Sequence, residues 1–287
     1  MTETPPASPA ASPAPESAVT SEAPAKPAKK EDSFGVFLLK LVVVVALFRS
    51  FVFAPFYIPS ESMLPKLLVG DYLLLAKWPY GVSRKSLPFG VPLLPESRIL
   101  ASTPKRGDVV VFKAPPLGED DWIKRVIGLP GDTLQMKDGV LWLNGQPVPK
   151  VRVADFELPV TPNTHCYSPQ FTAKLADGSD VCRYPQYRET LPGGKSYEVL
   201  DLGPRPQDNT PPQMVPEGHV FLMGDNRDNS QDSRFPAEVG GGIGIVPQDN
   251  LLGRATVMMF STDGGAEWLR PWTWFSAARW SRFGTGF

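Results

Sequence analysis

The sequence predicts a mostly β fold, in which an antiparallel β-sheet core is interrupted by an inserted cap and preceded by one N-terminal transmembrane helix. Residues 33–53 form one long apolar run. From residue 69 onward, the apolar runs are short and are bounded by Gly-Asp or Pro-Gly turns, which is typical of strands. No helical periodicity of useful length follows the apolar run.

The N-terminal segment 1–32 is a leader of Ala, Pro, Ser and Glu with almost no large apolar side chain. Such a composition cannot bury enough surface to offset the entropy lost on ordering, so we expect the leader to be disordered. The net charge of the whole chain is −1, which gives no reason to expect a nucleic-acid partner.

The apolar run 33–53 is close in length to the roughly 20 residues that cross a bilayer as a helix. Lys40 and Arg49 interrupt it, and a charge near the end of a span can reach the interface. A cleaved signal peptide is disfavoured, because a long polar leader precedes the run and Arg49 closely follows its most apolar stretch. A buried core helix fits this β-branched, uncapped run poorly. We expect a single membrane anchor.

Lysines before the anchor predict its orientation, since Lys26, Lys29 and Lys30 precede it whereas 54–58 is uncharged. The positive-inside rule then places the leader in the cytoplasm and the chain after Phe56 on the outer side of the membrane.

The core after the anchor is expected to consist of short strands rich in Val, Ile and aromatic residues. Within 132–149, Asp138-Gly139 and Asn144-Gly145 favour two-residue hairpin turns and predict a meander. The other expected strands lie within 69–78, 107–115, 122–132, the start of 218–234, and 250–260.

The core is expected to be discontinuous, formed by 54–149 and 213–263. Residues 150–212 are polar and rich in Pro and Tyr, which predicts an inserted cap that is less regular than the core. The tail 264–287 places Trp and Phe among Arg, a pattern that suits a membrane interface and core packing about equally.

The two cysteines of the chain, Cys166 and Cys182, both lie in the cap. They could form a disulfide in the oxidising compartment that the orientation predicts, or they could be two unrelated thiols. A zinc site is disfavoured, because only His165 lies nearby and the chain has no second cysteine pair.

An acidic run follows the strand at 220–223. Asp225, Asp228 and Asp232 fail the calcium-loop pattern in both registers, because neither the sixth nor the twelfth position carries the required residue. The expected role of this run is ion pairing with three arginines, namely Arg125, Arg227 and Arg234.

The stretch IPSESMLP, residues 58–65, places Ser60 and Ser62 directly after the anchor. A Ser-His-Asp triad would need a histidine base, but the chain has only His165, next to a cysteine, and His219, where a strand begins. A lysine is the remaining candidate base, since burial disfavours the charged amine and can lower its pKa by several units.

Lys124 is the best candidate, because apolar residues flank it on both sides. Strand alternation places Lys124 and Trp122 on one face and Ile123 on the other. The alternative is an ordinary strand lysine that faces water, and periodicity alone does not decide between the two.

Four sequence blocks follow the anchor in the order IPSESMLP, KRGDVVVF, WIKRVIGLPGD and MGDNRDNSQDSR. Together with the single anchor, they resemble bacterial type I signal peptidase, a membrane-bound serine endopeptidase. The resemblance covers roughly residues 33–260.

The resemblance implies a role for each matching residue. Ser62 would be the nucleophile and Lys124 the general base. The Ser60 hydroxyl and the Ser62 backbone N–H would form the oxyanion hole, and Ser230 would orient the lysine amine. Supporting ion pairs are expected at Arg125, Asp225, Asp232 and Arg234. The apolar walls of the substrate pockets are expected at Phe56, Ile58, Pro59, Leu67, Trp122 and Ile123.

The resemblance also implies the setting of the enzyme. It would cleave signal peptides of secretory preproteins after Ala-x-Ala sites, without metal or cofactor, near the translocation machinery and in contact with membrane lipid. The catalytic part would lie on the outer, periplasmic face of the bacterial inner membrane. Two features depart from many relatives, namely Glu61 between the serines and the glycine-rich loop 235–247.

Two other functions remain open at this point. One is a self-cleaving Ser-Lys protease of the repressor type, which would need a DNA-binding segment. The other is a non-enzymatic, membrane-tethered envelope scaffold whose serines only shape a turn.

Overall fold

The computed structural model describes residues 1–2, 33–84, 87, 92, 94–95, 97–267 and 269–287. Two compact units make up the chain, Met1–Leu41 and Val42–Phe287. Apart from its first two residues, the predicted leader lies outside the described residues, as does Trp268 of the tail.

The apolar run forms helix α1 over Phe34–Phe51. With 18 residues and a mean hydropathy of 2.2, it is the one helix among the described residues that is long and apolar enough to cross a membrane. Its side chains are exposed apart from Ser50, which is buried, and Ala46 and Phe51, which are half-buried, unlike those of a core helix. The helix ends two residues before the predicted boundary because a strand begins at Phe53.

The described residues form seventeen strands, and the meander strands and final strand lie where the sequence predicts them. In chain order they are β1 (Phe53–Tyr57), β2 (Asp71–Ala76), β3 (Val109–Lys113), β4 (Asp121–Gly128), β5 (Thr133–Lys137), β6 (Val140–Leu143), β7 (Gln146–Pro147), β8 (Lys150–Arg152), β9 (Phe156–Pro159), β10 (Thr172–Lys174), β11 (Asp180–Tyr184), β12 (Gln186–Thr190), β13 (Ser196–Leu200), β14 (Gln213–Met214), β15 (His219–Met223), β16 (Val246–Pro247) and β17 (Leu251–Ser261).

A seven-stranded sheet in the order β1-β2-β17-β3-β4-β15-β16 carries the core. All of its pairings are antiparallel, which confirms the predicted fold class. The 11 residues of β17 pair with both β2 and β3, and register shifts bend the strand along its length.

The predicted meander is formed by β5, β6 and β7, and β14 pairs with β5 to complete a four-stranded sheet in the order β14-β5-β6-β7. Its hairpin turns lie at Asp138-Gly139 and Asn144-Gly145, as predicted. All four residues have positive φ, with 47° and 73° in the first turn and 52° and 77° in the second. This conformation matches the twist of the flanking strands and explains the preference for Asp, Asn and Gly.

The segment 150–212, which we expected to be less regular than the core, contains six strands in two three-stranded sheets. A disulfide joins Cys166 to Cys182, which lies in β11, so the two cysteines are not unrelated thiols.

The seven-stranded sheet is buried on both faces at β3 and β4. Val109 and Val111 pack into one apolar cluster, whereas Val110 and Phe112 pack into another on the opposite face. This explains why the sequence of β3 is continuously apolar instead of alternating. Lys124 pairs with Val110 in the β3–β4 register and therefore lies on a covered face.

The tail adds helix α2 (Trp272–Ser276) and returns along β17. Six large apolar side chains among the described residues of the tail are exposed, which contradicts packing of these residues in the core, whereas Phe287 packs against a core cluster. Between 44% and 93% of each is exposed at Leu269, Trp272, Trp274, Phe275, Trp280 and Phe283. Contact of the exposed side chains with a membrane interface stays a prediction.

Candidate active site

The two serines lie in a loop, residues 58–70, that leaves β1 and returns to β2; we call it the serine loop. Its ends are joined by backbone hydrogen bonds from Ile58 N to Asp71 O, 2.8 Å, and from Gly70 N to Ile58 O, 3.0 Å. Met63 and Leu64 are fully buried and hold the middle of the loop in the core. Ser60 is exposed, whereas only 8% of Ser62 is exposed.

Lys124 of β4 reaches the serine loop directly. Its Nζ lies 2.7 Å from Ser62 Oγ and 3.1 Å from the carbonyl oxygen of Ile123. The same amine lies 5.4 Å from the centroid of the Trp122 ring, on the face of the strand that alternation predicts. The lysine is 3% exposed, so it does not face water.

Burial has an electrostatic consequence for this amine. Removal from water disfavours the charged form and lowers the pKa of Lys124 to about 8, whereas the nearby carboxylates of Asp232 and Asp225 act in the opposite sense. A substantial fraction of the amine is therefore neutral near pH 8 and can accept a proton from the hydroxyl beside it.

A loop that follows β15, residues 224–234, holds the serine loop from the other side. Asn226 N donates to Ser62 O, 3.1 Å, and Asn226 Nδ2 donates to Glu61 O, 3.2 Å. The carboxylate of Glu61 accepts from Asn229 Nδ2, 3.1 Å, while burial raises its pKa. Sequence reasoning did not identify either asparagine as part of the site.

Gly224 permits the close approach of the 224–234 loop to the serine loop. A Cβ atom at this position would lie 2.2 Å from Ser230 Oγ and 2.5 Å from the carbonyl oxygen of Ser62. Neither distance is compatible with a side chain, so this position requires glycine for space. The sequence signal was the glycine at the end of an apolar strand, which suggests close approach of another backbone.

Ser230 lies at the site but does not make the contact that the resemblance implies. It lines the same cleft as Ser62 and Lys124 and is 9% exposed. Its Oγ is buried and has no hydrogen-bond partner among the described residues. The structure therefore brings Ser230 to the dyad without a hydrogen bond to the amine.

Two buried ion pairs support the strands around the dyad. Arg125 binds Asp225 through two hydrogen bonds of 2.7 and 2.6 Å, and Arg234 binds Asp232 through two of 2.9 Å. These four residues are the ones that the resemblance implies.

The prediction that Arg227 pairs with the acidic run is wrong. The Arg227 guanidinium instead donates two hydrogen bonds, of 2.7 and 2.5 Å, to the carboxylate of Glu189 in β12. Asp228 instead accepts the backbone N–H of Leu202 at 2.6 Å. Tyr197 of β13 donates to Glu189, 2.9 Å, and its ring lies 4.3 Å from the Arg125 guanidinium. Sequence reasoning missed this network because its members are far apart in the chain.

A cleft of about 680 Å³ opens onto the dyad. Four of the six predicted wall residues line it, namely Phe56, Pro59, Trp122 and Ile123. The prediction for the other two needs correction, because Ile58 and Leu67 are fully buried in the core cluster beneath the serine loop.

Ser60 lies beside the nucleophile candidate, with its Oγ 3.4 Å from Ser62 Oγ, and it also lines the cleft. Neither histidine is among the residues that line the cleft. His219 Nδ1 contacts the carbonyl oxygen of Glu217 at 2.9 Å, whereas the charge of His165 acts on the carboxylate of Glu61. Within the described ranges, no group of His, Cys, Asp and Glu residues is arranged to hold a metal ion.

Comparison with known proteins assigns the chain to a class and then to a family. A family model described as "Signal peptidase, peptidase S26" matches residues 32–260, which makes the chain a peptidase. Signal peptidase I of Rickettsia typhi (strain ATCC VR-144 / Wilmington) is 34% identical over 246 residues, 83% of this chain and 82% of the relative. Signal peptidase I of Rickettsia akari (strain Hartford) is 34% identical over 231 residues, 77% of each. The chain belongs to the signal peptidase family, peptidase S26.

A solved structure is also similar. The crystal structure of a signal peptidase I from Enterococcus faecalis V583 is 23% identical, with a TM-score of 0.28, and the match covers 53% of this chain and 97% of that one.

Proposed function

We propose that this protein is a membrane-anchored serine endopeptidase that removes N-terminal signal peptides from translocated preproteins after Ala-x-Ala sites. Ser62 is the nucleophile and Lys124 is the general base. The observation that carries the proposal is the 2.7 Å contact between Lys124 Nζ and Ser62 Oγ in a cleft, with the amine buried.

The chemistry follows from this pair. The neutral amine of Lys124 takes the Ser62 proton as the oxygen attacks the scissile carbonyl, and the resulting ammonium returns that proton to the leaving amine. Water then hydrolyses the acyl-enzyme, with Lys124 again acting as the base. The Ser62 N–H and the Ser60 hydroxyl stabilise the oxyanion, and loss of one donor costs about 2.7–4 kcal/mol of barrier.

The cleft supports small substrate side chains next to the nucleophile. Trp122 and Ile123 precede the base on β4, and Phe56 and Pro59 precede the serines on the other wall. These apolar groups lie in the same cleft as Ser62 and Lys124, and we expect alanine-sized side chains of the substrate to bind against them.

Three features support a membrane setting with the catalytic part outside the cytoplasm. Helix α1 is long and apolar enough to span a bilayer, and lysines precede it. The disulfide indicates an oxidising compartment. Exposed aromatic rings of the tail stack on each other, Phe275 on Trp280 and Trp280 on Phe283, as suits a lipid interface. In such a place the enzyme would meet preproteins close to the translocation machinery.

The experiment uses the full chain in detergent with a preprotein whose signal peptide ends in Ala-x-Ala. The wild type should release the mature protein, and mass spectrometry should place the cut after the second Ala. Ser62→Ala and Lys124→Ala should both be inactive, whereas Ser196→Ala and Lys174→Ala, at exposed positions of the cap, should keep wild-type activity. A wild type that leaves the preprotein intact would favour the scaffold, and one that cuts only its own chain would favour a self-cleaving protease.

A further inference from the structure

Asp71 is a fully buried carboxylate that the proposed chemistry does not use. It is the first residue of β2, and its backbone carbonyl accepts the N–H of Ile58, 2.8 Å. This bond joins the two ends of the serine loop, which we call the neck of the loop. The Asp71 side chain accepts the N–H of Leu68, 2.8 Å. Asp71 therefore contacts the serine loop at two points.

Arg282 of the tail neutralises this buried charge. Its Nε lies 2.9 Å from Asp71 Oδ1 and its Nη2 lies 2.6 Å from Oδ2, which is a bidentate pair. The same Nη2 donates to the carbonyl oxygen of Lys66, 2.9 Å, inside the serine loop. One guanidinium thus ties the neck of the loop to its middle.

The rest of segment 279–287 runs along β17, where Gly284 N donates to Met258 O, 2.9 Å, and it also contacts the serine loop. Arg279 Nη1 donates to Val69 O, 2.9 Å, and Lys66 Nζ donates to Gly286 O, 2.9 Å. The Phe287 ring packs against the core cluster that contains Ile58, Met63 and Leu67. The hydrogen bonds of Arg279 and Lys66 join the tail to the serine loop, and the cluster against which Phe287 packs also includes residues of β2, β3 and β17.

We propose that Arg282, through Asp71, is a positioning residue that holds the serine loop so that Ser62 Oγ stays within reach of Lys124; this rests on the proposed function. The 224–234 loop holds Ser62 through Asn226 on one side, and Arg282 holds the loop on the other. Without the guanidinium, the Asp71 carboxylate is buried and unpaired, and the neck of the loop must rearrange to hydrate it. A shift of about 1 Å at a reacting atom is enough to slow catalysis about 100-fold.

The test measures kcat and KM of the full chain in detergent with the Ala-x-Ala preprotein. Arg282→Ala should lower kcat about 10- to 100-fold with little change in KM, and its pH midpoint should stay at the wild-type value because the surroundings of Lys124 are unchanged. Millimolar methylguanidinium should restore part of the lost kcat, since the Arg282 side chain is 21% exposed and its site can be reached. Arg183→Ala is the matched control, as Arg183 makes an exposed pair with Glu157 on the cap.

Arg282→Lys keeps the test valid if the alanine variant does not fold, because it keeps one charge at Asp71 but loses the bidentate geometry. The Arg282→Lys variant should retain the wild-type KM, and its kcat should lie between those of the wild type and Arg282→Ala. Wild-type kcat in Arg282→Ala, or a folded Arg282→Ala whose loss appears only in KM, would overturn the positioning role. A wild type that does not cleave the preprotein would instead overturn the proposed function.

Discussion

Arg227 of the 224–234 loop and Glu189 of β12, in segment 150–212, form a buried ion pair. Two hydrogen bonds of 2.7 and 2.5 Å join the guanidinium to the carboxylate, and at most 3% of either side chain is exposed. Arg227 also donates to the carbonyl oxygen of Gly224, 3.2 Å, directly behind Ser62. Segment 150–212 therefore stabilises the loop that contacts Ser62.

Removal of one partner of this pair should be costly. Glu189→Gln leaves a buried guanidinium without its counter-charge, so we expect the free energy of unfolding to fall by about 3–5 kcal/mol. Chemical denaturation of the full chain in detergent measures this. The matched control is Glu198→Gln on the neighbouring strand β13, whose exposed pair with Arg188 should be worth at most about 1 kcal/mol. Equal losses in the two variants would show that the Arg227–Glu189 pair does not brace the loop.

Gly224→Ala should inactivate the enzyme more than it destabilises the fold. The new Cβ would force the Ser62 carbonyl and the Ser230 side chain away, which displaces the nucleophile from Lys124. We expect kcat to fall about 100-fold or more. Gly241→Ala is the control, because its nearest neighbour is a Glu238 side-chain atom at 3.3 Å. Full activity in Gly224→Ala would contradict the close approach seen here.

The buried base should cost stability below pH 8. The pKa of Lys124 is about 8 in the folded chain and 10.5 ordinarily, so between these values the unfolded chain binds a proton that the folded chain does not. The free energy of unfolding therefore rises with pH across this window, and the penalty is largest below pH 8. Lys124→Met should be more stable than the wild type at pH 7, and this advantage should shrink towards pH 10.5.

Unfolding at several pH values measures that advantage, with Lys174→Met as the exposed control. If the difference in the free energy of unfolding between Lys124→Met and the wild type stays constant from pH 7 to about 10.5, folding does not lower the pKa of Lys124, and the prediction is wrong.

Local signals explain which parts of the fold were predictable. Asp138-Gly139 and Asn144-Gly145 define the meander because their backbone conformation suits few other residues. Strand β1 was missed because Pro55 resembles a linker residue. It is tolerated here because β1 is the edge of the sheet, where a missing N–H costs no ladder bond.

The site residues that belong to a sequence motif were predictable. The burial of a side chain and contacts between residues far apart in the sequence were not. The motifs led to Ser62 and Lys124, but only the covered face of β4 shows that the lysine is buried. Apolar motif positions did not reveal that Ile58 and Leu67 are fully buried in a core cluster instead of lining the cleft. The partners Glu189 and Arg282 are far from the motifs in sequence, so only the folded chain brings them to the loops they hold.

The pH dependence of kcat/KM tests the central claim most directly, since it reports the ionisation of the free enzyme's base. If Lys124 activates Ser62, kcat/KM should rise with pH and reach half its maximum near pH 8, because the amine must lose its proton to act. Asp225→Asn, which removes a charge that raises the pKa of Lys124, should move this midpoint to lower pH. A midpoint near 6.5, where an ordinary histidine titrates, or a rate that falls as pH rises through 8, would contradict Lys124 as the base.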